Sequence, residues 1–250
     1  MAFELIVVLA SGVCAGFANT VAGGGSLITM PMLIFLGLPS AVANGTNRLG
    51  ILLGSLVGVA KFRQKGFYDP SLSLSLAVPA VAGAIFGSKI AVSLPDEIFN
   101  RILSVVMVAV LPLVLRGPAG SRQIQFQKPS GMVRVVTPFL FFFVGIYGGF
   151  IQVGVGFIII AMLSLLTRLS LVHINSIKVF VTGFYIIPSL AVFVITGNVD
   201  WVYGAALAAG MAGGSLLGAH LSVGGGERFI KWVLTAMVLA MAAKLSGLFG

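Results

Sequence analysis

Acidic side chains are scarce in this sequence. Among 250 residues there are six, and none lies deep in an apolar run: Glu4, Asp69, Asp96, Glu97, Asp200 and Glu227 all fall at run ends or in connections. A cation site inside a membrane, or a proton relay built from carboxylates, needs buried acids, so neither is expected. Cysteine is rarer still. Cys14 stands alone, which excludes an intrachain disulfide and any paired-thiolate metal site; in an apolar run it reads as a small packing residue. Charge of either sign is sparse, at 8% of residues, where a soluble domain carries about a quarter. The catalytic vocabulary is missing too. There is no P-loop, no GxSxG and no HExxH, and the two histidines, His173 and His220, have no acidic neighbours in sequence. Ser26 with one of those histidines is the sole conceivable hydrolase pair, and no motif surrounds it. No enzyme, cofactor or metal is expected.

What is present is hydrophobic: 58% of residues are apolar and the mean hydropathy is +1.12. This is an all-α, polytopic membrane protein, with lipid as its surroundings. The net charge of +9 sits mainly in short connections between apolar runs, the pattern of cytoplasmic loops and not of a nucleic-acid surface. The N-terminal run MAFELIVVLASGVCAGFA has no basic leader and carries Glu4, so it reads as a first span and not as a signal peptide.

Ten apolar segments are expected: 3–20, 25–37, 43–60, 71–92, 98–115, 136–153, 156–167, 178–196, 201–222 and 229–246. A bilayer crossing takes about 20 residues, so the second and seventh are short. A basic stretch, 117–134, separates a first repeat (1–116) from a second (135–250). At an offset of 131, KGFYDPSLSLSLAVPAVAGAIFGSKIAVSLPDEIFNRIL aligns without a gap to TGNVDWVYGAALAAGMAGGSLLGAHLSVGGGERFIKWVL. Asn44 meets Asn175 at the same offset. At 133, GVCAGFANTVAGGGSL lies over GIYGGFIQVGVGFIII, which sets Asn19 over Gln152 and Gly23 over Gly156.

Charge predicts how the repeats are related. KFRQK (61–65) is basic where its counterpart TGNVD (196–200) is not; SLPDE (93–97) is acidic where GGGERFIK (224–231) is partly basic. Equivalent loops then lie on opposite faces, so the repeats are expected to be inverted, with Lys178 among the residues near the cytoplasmic side. Either five crossings per half, or three plus a re-entrant hairpin, satisfies that inversion.

Within the first repeat the stretch FANTVAGGGSLITMPML breaks an apolar run with Asn19, Thr20 and the glycines Gly23, Gly24 and Gly25, followed by Ser26. Non-helical backbone at membrane depth is tolerated where it is buried in protein or lines a cavity, and matched breaks in inverted halves point to a transport site. The following helix starts would offer free amides and a positive dipole end, with GVGF supplying Gly154 and Gly156 from the other half. Asn19 and Gln152 would add amide donors. The substrate class this predicts is a small anion. Close helix packing is the plainer reading of glycine, and it is preferred for Gly83 and Gly87. Two polar clusters, NGTNR (44–48) and HINSIK (173–178), open the next span of each half. Asn44 and Asn175 either cap those helices or join the site; Arg48 and Lys178 either face an anion or snorkel to the interface. Lys89 reads as a snorkelling residue and His220 as a packing histidine.

The segment AGFANTVAGGGSLITMPMLIFLGLPSAVANGTN resembles the first-repeat signature of the sulfite exporter TauE/SafE family: a glycine-rich turn (Gly23 to Gly25) with Leu27, Pro31, Gly37, Pro39, Val42 or Ala43, and Thr46. GIYGGFIQVGVGFIIIAML resembles the second-repeat version. The chain departs from the pattern at Thr46-Asn47, where Thr-Ser is common, and in its reduced second turn. The resemblance implies a carrier, commonly an exporter, of sulfite or related sulfur-containing organic anions in a bacterial inner membrane, with Thr46 and Asn47 near the site. The competing expectation is a channel-like or packing-driven membrane protein without a discrete substrate site.

Overall fold

The computed structural model describes residues 2–115, 132–167 and 169–245. Arg116, Arg122, Lys128 and Arg168, which the charge pattern places in or near cytoplasmic connections, lie outside the described residues. Those residues form helices and no strand: α1 (Ala2–Val21), α2 (Ser26–Phe35), α3 (Ser40–Gln64), α4 (Pro70–Ser93), α5 (Asp96–Leu115), α6 (Met132–Phe150), α7 (Val155–Leu166), α8 (Leu171–Ile195) and α9 (Trp201–Leu245). Among the described residues four stretches are long and apolar enough to cross a membrane: α1, α4, α8 and Trp201–Gly226 of α9. Large apolar side chains stand exposed along the outside, among them Phe3, Phe35, Leu165 and Trp232, as a lipid-facing surface requires.

The repeat survives into the helix boundaries. At the offset of 131, α3 maps onto α8 from first residue to last, and the starts of α4 and α9 coincide. Asp69 and Asp200, also equivalent, do the same work: each accepts from an amide three residues on, Leu72 at 3.0 Å and Tyr203 at 2.9 Å, the side-chain cap that satisfies a helix start. The expected boundary near 222–229 is a kink inside α9, at Gly226 with φ 58° and ψ −156°. Its counterpart is Pro95, between α4 and α5.

Each half leans on the other. α1 packs along α9 and α6 along α4, while α3 packs on α8 and α9, and α4 on α8 as well as α6. The contacts are close because small residues line them. A methyl added at Gly83 or Gly87 would strike the carbonyls of Phe142 and Ile146, and one at Gly145 or Gly149 those of Ala80 and Ala84. Gly83 and Gly87 are thus packing glycines, as expected. The equivalent helices α3 and α8 run antiparallel: Arg48 meets Ser189, Ser55 meets Gly183, and Gly58 meets Val179.

Helices α3 and α8 begin earlier than the apolar runs suggested, at Ser40 and Leu171 instead of 43 and 178. The polar residues that follow, Asn44 and Asn175 among them, are buried against the opposite half, so hydropathy misplaced the boundary. Two smaller expectations also fail. Cys14 and His220 are exposed, on the outer face of their helices and not packed inside. Lys89 is exposed near the end of α4, where a long side chain can reach the interface.

Candidate functional site

The chain breaks where the sequence placed the breaks. Gly23 has φ +90° between α1 and α2; Gln152 and Gly154 have φ 62° and 72° between α6 and α7. Left-handed backbone is natural for glycine but costs a residue with a Cβ about 1–2 kcal/mol, so Gln152 is held there by its surroundings. At ten and twelve residues, α2 and α7 span roughly 15–18 Å, about half the hydrocarbon core. Both chains fold back on the helix they leave. A methyl on Gly25 would strike Ala15 and Asn19, and the Val153 carbonyl accepts from the Tyr147 hydroxyl. The breaks also touch each other: a methyl on Gly23 would collide with the backbone of Gly156, and the reverse. Two of the glycines offered as substrate ligands are therefore where the halves meet backbone to backbone.

At this meeting point the starts of α2 and α7 are buried and bare. Neither carries a side-chain cap, unlike α4 and α8, which are capped by Asp69 and Ser170. The amides of Gly24, Gly25 and Ser26, and those of Gly154, Val155 and Gly156, make no hydrogen bond among the described residues, although all six residues are buried. Buried amides are almost always paired. Six left over at two helix starts form a concentration of donors and positive dipole.

The preceding helix ends are fully answered, and from across the molecule. Arg48, on α3 and 0% exposed, donates from Nη1 to the Gly148 carbonyl (3.2 Å) and Ser189 Oγ (2.8 Å), and from Nη2 to the Gly149 carbonyl (2.6 Å) and Asn44 Oδ1 (3.2 Å). Its guanidinium lies 4.5 Å from the Phe193 ring centroid, and its Nε has no partner among the described residues. Asn44 Nδ2 donates to the Phe150 carbonyl at 2.8 Å. The other half repeats the device: Lys178, on α8, donates to the Thr20 carbonyl (2.9 Å) and Asn175 Oδ1 (2.8 Å), and Asn175 Nδ2 to the Val21 carbonyl (2.8 Å). Each half thus holds the negative end of the other half's broken helix with one cation and one asparagine.

This corrects three expectations. Asn44 and Asn175 do not cap their own helices, which start four residues earlier; they serve α6 and α1. Arg48 and Lys178 do not snorkel. Lys178 is 2% exposed, inside the bundle and not at the cytoplasmic surface, because four-carbon reach and a waiting carbonyl draw it inward. Neither cationic side chain pairs with a described carboxylate; helix-end carbonyls, side-chain oxygens and, for Arg48, the Phe193 ring hold them beside the breaks.

The remaining candidates divide. Asn19 is half-buried in the last turn of α1 and makes no side-chain hydrogen bond among the described residues; Thr20 is buried next to it. Gln152 is buried with Oε1 accepting from the Tyr185 hydroxyl at 3.0 Å. Asn47 joins α3 to the start of α2, donating to Ser26 Oγ (3.2 Å) and accepting from the Thr29 hydroxyl (2.7 Å). Thr46 faces elsewhere: its Oγ1 accepts from the Asp200 amide at 2.9 Å, which fixes the entry to α9. Sequence reasoning missed Tyr185, Ser88 and Ser189. Ser88 Oγ donates to the Ala84 carbonyl (2.6 Å) and contacts both Ser189 and the Gly149 carbonyl. The one signal available was a hydroxyl inside an apolar span.

A polytopic helical bundle with two helix breaks meeting at its centre, rich in donors and buried positive charge, has the architecture of a membrane transporter. The model of the sulfite exporter TauE/SafE family matches residues 8–245, and the chain belongs to this family. It is similar to the probable membrane transporter protein ORF9 of Sinorhizobium sp, at 26% identity over 98% of this chain and 94% of the relative. A probable membrane transporter protein of Haemophilus influenzae is 28% identical over 96% and 94%, and YfcA of Escherichia coli 25% over 92% and 85%. No solved structure matches the chain. The protein is a multi-pass bacterial membrane transporter.

Proposed function

We propose that this transporter carries sulfite or a related small sulfur-containing anion, such as an organosulfonate, outward across the inner membrane. The two repeats act as inverted halves that alternate access to a site at the paired breaks. The observation that carries the reading is electrostatic: six buried amides, unpaired among the described residues, at two touching helix starts, beside two buried cationic side chains with no described carboxylate partner. In a low-dielectric interior such a place is unfavourable to a cation and favourable to an anion. Asn19, unengaged at the end of α1, and the Gln152 amide are the side chains offered to the substrate. Arg48 and Lys178 act through the field and by holding the breaks, because most of their donors are spent on carbonyls. Export needs no coupling ion, since an anion leaving the cell moves down an inside-negative potential worth roughly 2.3 kcal/mol per charge per 100 mV. The antiparallel crossing of α3 and α8, equivalent helices of the two repeats, supports the inverted arrangement.

Calorimetric titration of the purified protein with sulfite, sulfoacetate, taurine, sulfate and chloride tests the reading. Selective binding of sulfite or a sulfonate, weakened at least about tenfold in Asn19→Ala with folding retained, is expected. The tight contact of Gly23 with Gly156 favours one rival, breaks that serve packing only; binding of none of these anions would establish that rival.

A further inference from the structure

Each break holds a polar side chain whose acceptor is already engaged. Gln152 is 2% exposed, and the hydroxyl of the fully buried Tyr185 donates to its Oε1 at 3.0 Å. The Tyr185 hydroxyl fixes the amide oxygen on its own side, and the amide nitrogen has no partner among the described residues and is turned the other way. At the other break the Thr29 hydroxyl donates to Asn47 Oδ1 (2.7 Å), and Asn47 Nδ2 donates to Ser26 Oγ (3.2 Å). The Ser26 oxygen is engaged while its hydrogen is left to donate. The two relays use different residues yet run in the same sense, from a hydroxyl to a donor at the break. The carbonyls of the preceding helix ends point the same way, because Thr20, Val21, Gly148, Gly149 and Phe150 accept from the cross-half clamps.

We infer that the breaks select among anions of equal charge by whether they carry a hydroxyl hydrogen, admitting oxyanions whose oxygens are all acceptors. This rests on the anion reading above and adds its specificity. An anion bearing O–H would set that hydrogen against the N–H of Gln152 or the O–H of Ser26, leaving buried donors unpaired on both sides. Mismatches of that kind separate substrates far more strongly than a change of one methylene does. Tyr185 and Asn47 are positioning residues: neither need touch the anion, since they act by turning Gln152 and Ser26. Asn19 and Thr20 have no such partner among the described residues, so the discrimination is assigned to the two relays.

Methanesulfonate and methylphosphonate provide the test, below the second ionisation of the phosphonate. Both are then monoanions of one shape that differ by a single O–H. Calorimetry on the full-length protein in neutral detergent is expected to give methanesulfonate at least about tenfold tighter. Tyr185→Phe, which frees the Gln152 amide without changing charge, narrows that ratio to within about threefold, and Asn47→Leu does so through Ser26. Melting temperatures report whether each variant is folded. Equal binding of the two anions to wild type overturns the inference and leaves the anion reading standing, as does a ratio unchanged in both folded variants. Binding of sulfite with exclusion of both methyl compounds also overturns it, because size then selects. Binding of none of the three overturns the anion reading and this inference with it.

Discussion

In the first half the chain leaves α1 through Gly23, at φ +90°, and enters α2 at Ser26; in the second it leaves α6 through Gln152 and Gly154, at φ 62° and 72°, before α7. The first break spends a glycine on the left-handed position. The second places a glutamine there and holds it with Tyr185. The clamps differ as well. Arg48 answers two carbonyls, a serine and an asparagine of its own helix, whereas Lys178 answers one carbonyl and one asparagine. They are not even equivalent positions: at the offset of 131, Lys178 corresponds to Asn47, and Arg48 to Val179. What the halves share is a physical requirement. A helix that ends inside a membrane leaves carbonyls that need donors, and a cation two turns into the neighbouring helix can supply them from either position.

The comparison can be broken most decisively at the clamps. Arg48→Met strips four hydrogen bonds from buried acceptors and is expected to cost about 3–5 kcal/mol, with folded protein lost in size exclusion and melting. Lys178→Met removes two and should cost about half as much. Equal losses would mean that the halves do not differ as their hydrogen bonds do. The glycines come next. Gly23→Ala combines a collision with Gly156 and a left-handed penalty of about 1–2 kcal/mol; Gly156→Ala carries the collision alone. Melting should therefore drop further for Gly23→Ala.

Asn44→Leu and Asn175→Leu sharpen the likeness of the halves. Each orphans one helix-end carbonyl, at about 1–3 kcal/mol, and the two losses should agree. The smallest effect is expected at Thr46→Val, which removes the acceptor for the Asp200 amide and costs about 1 kcal/mol. Thr46 has no hydroxyl counterpart, since Ile177 occupies the equivalent place. Calorimetry should show anion binding unchanged there, separating Thr46 from the candidate site to which the family resemblance assigned it.

Much of the fold was legible because its signals are local. Apolar runs located the described helices to within a few residues, except at the start of α8, which lies seven residues earlier at Leu171, and at the last two runs, which join through a kink into α9; glycines located both breaks. The polar openings of α3 and α8 were misread for a reason that is equally plain. Asn44, Asn175, Arg48 and Lys178 stand near helix starts, where capping and snorkelling are the local explanations. Their partners lie about a hundred residues or more away in sequence, at the ends of α6 and α1, and no local pattern announces them. Ser88, Tyr185 and Ser189 were invisible for the same reason.

The sequence by itself determined an all-helical membrane chain, a duplicated plan and two interrupted helices, because hydropathy, self-similarity and backbone preference act over neighbouring residues. Only the tertiary structure decided that the breaks touch, that each half ties down the other's helix ends, and that the remaining free groups at the breaks are weighted towards donors. Those outcomes depend on which carbonyl each cation reaches, and that is set when α3 and α8 cross antiparallel in the packed bundle.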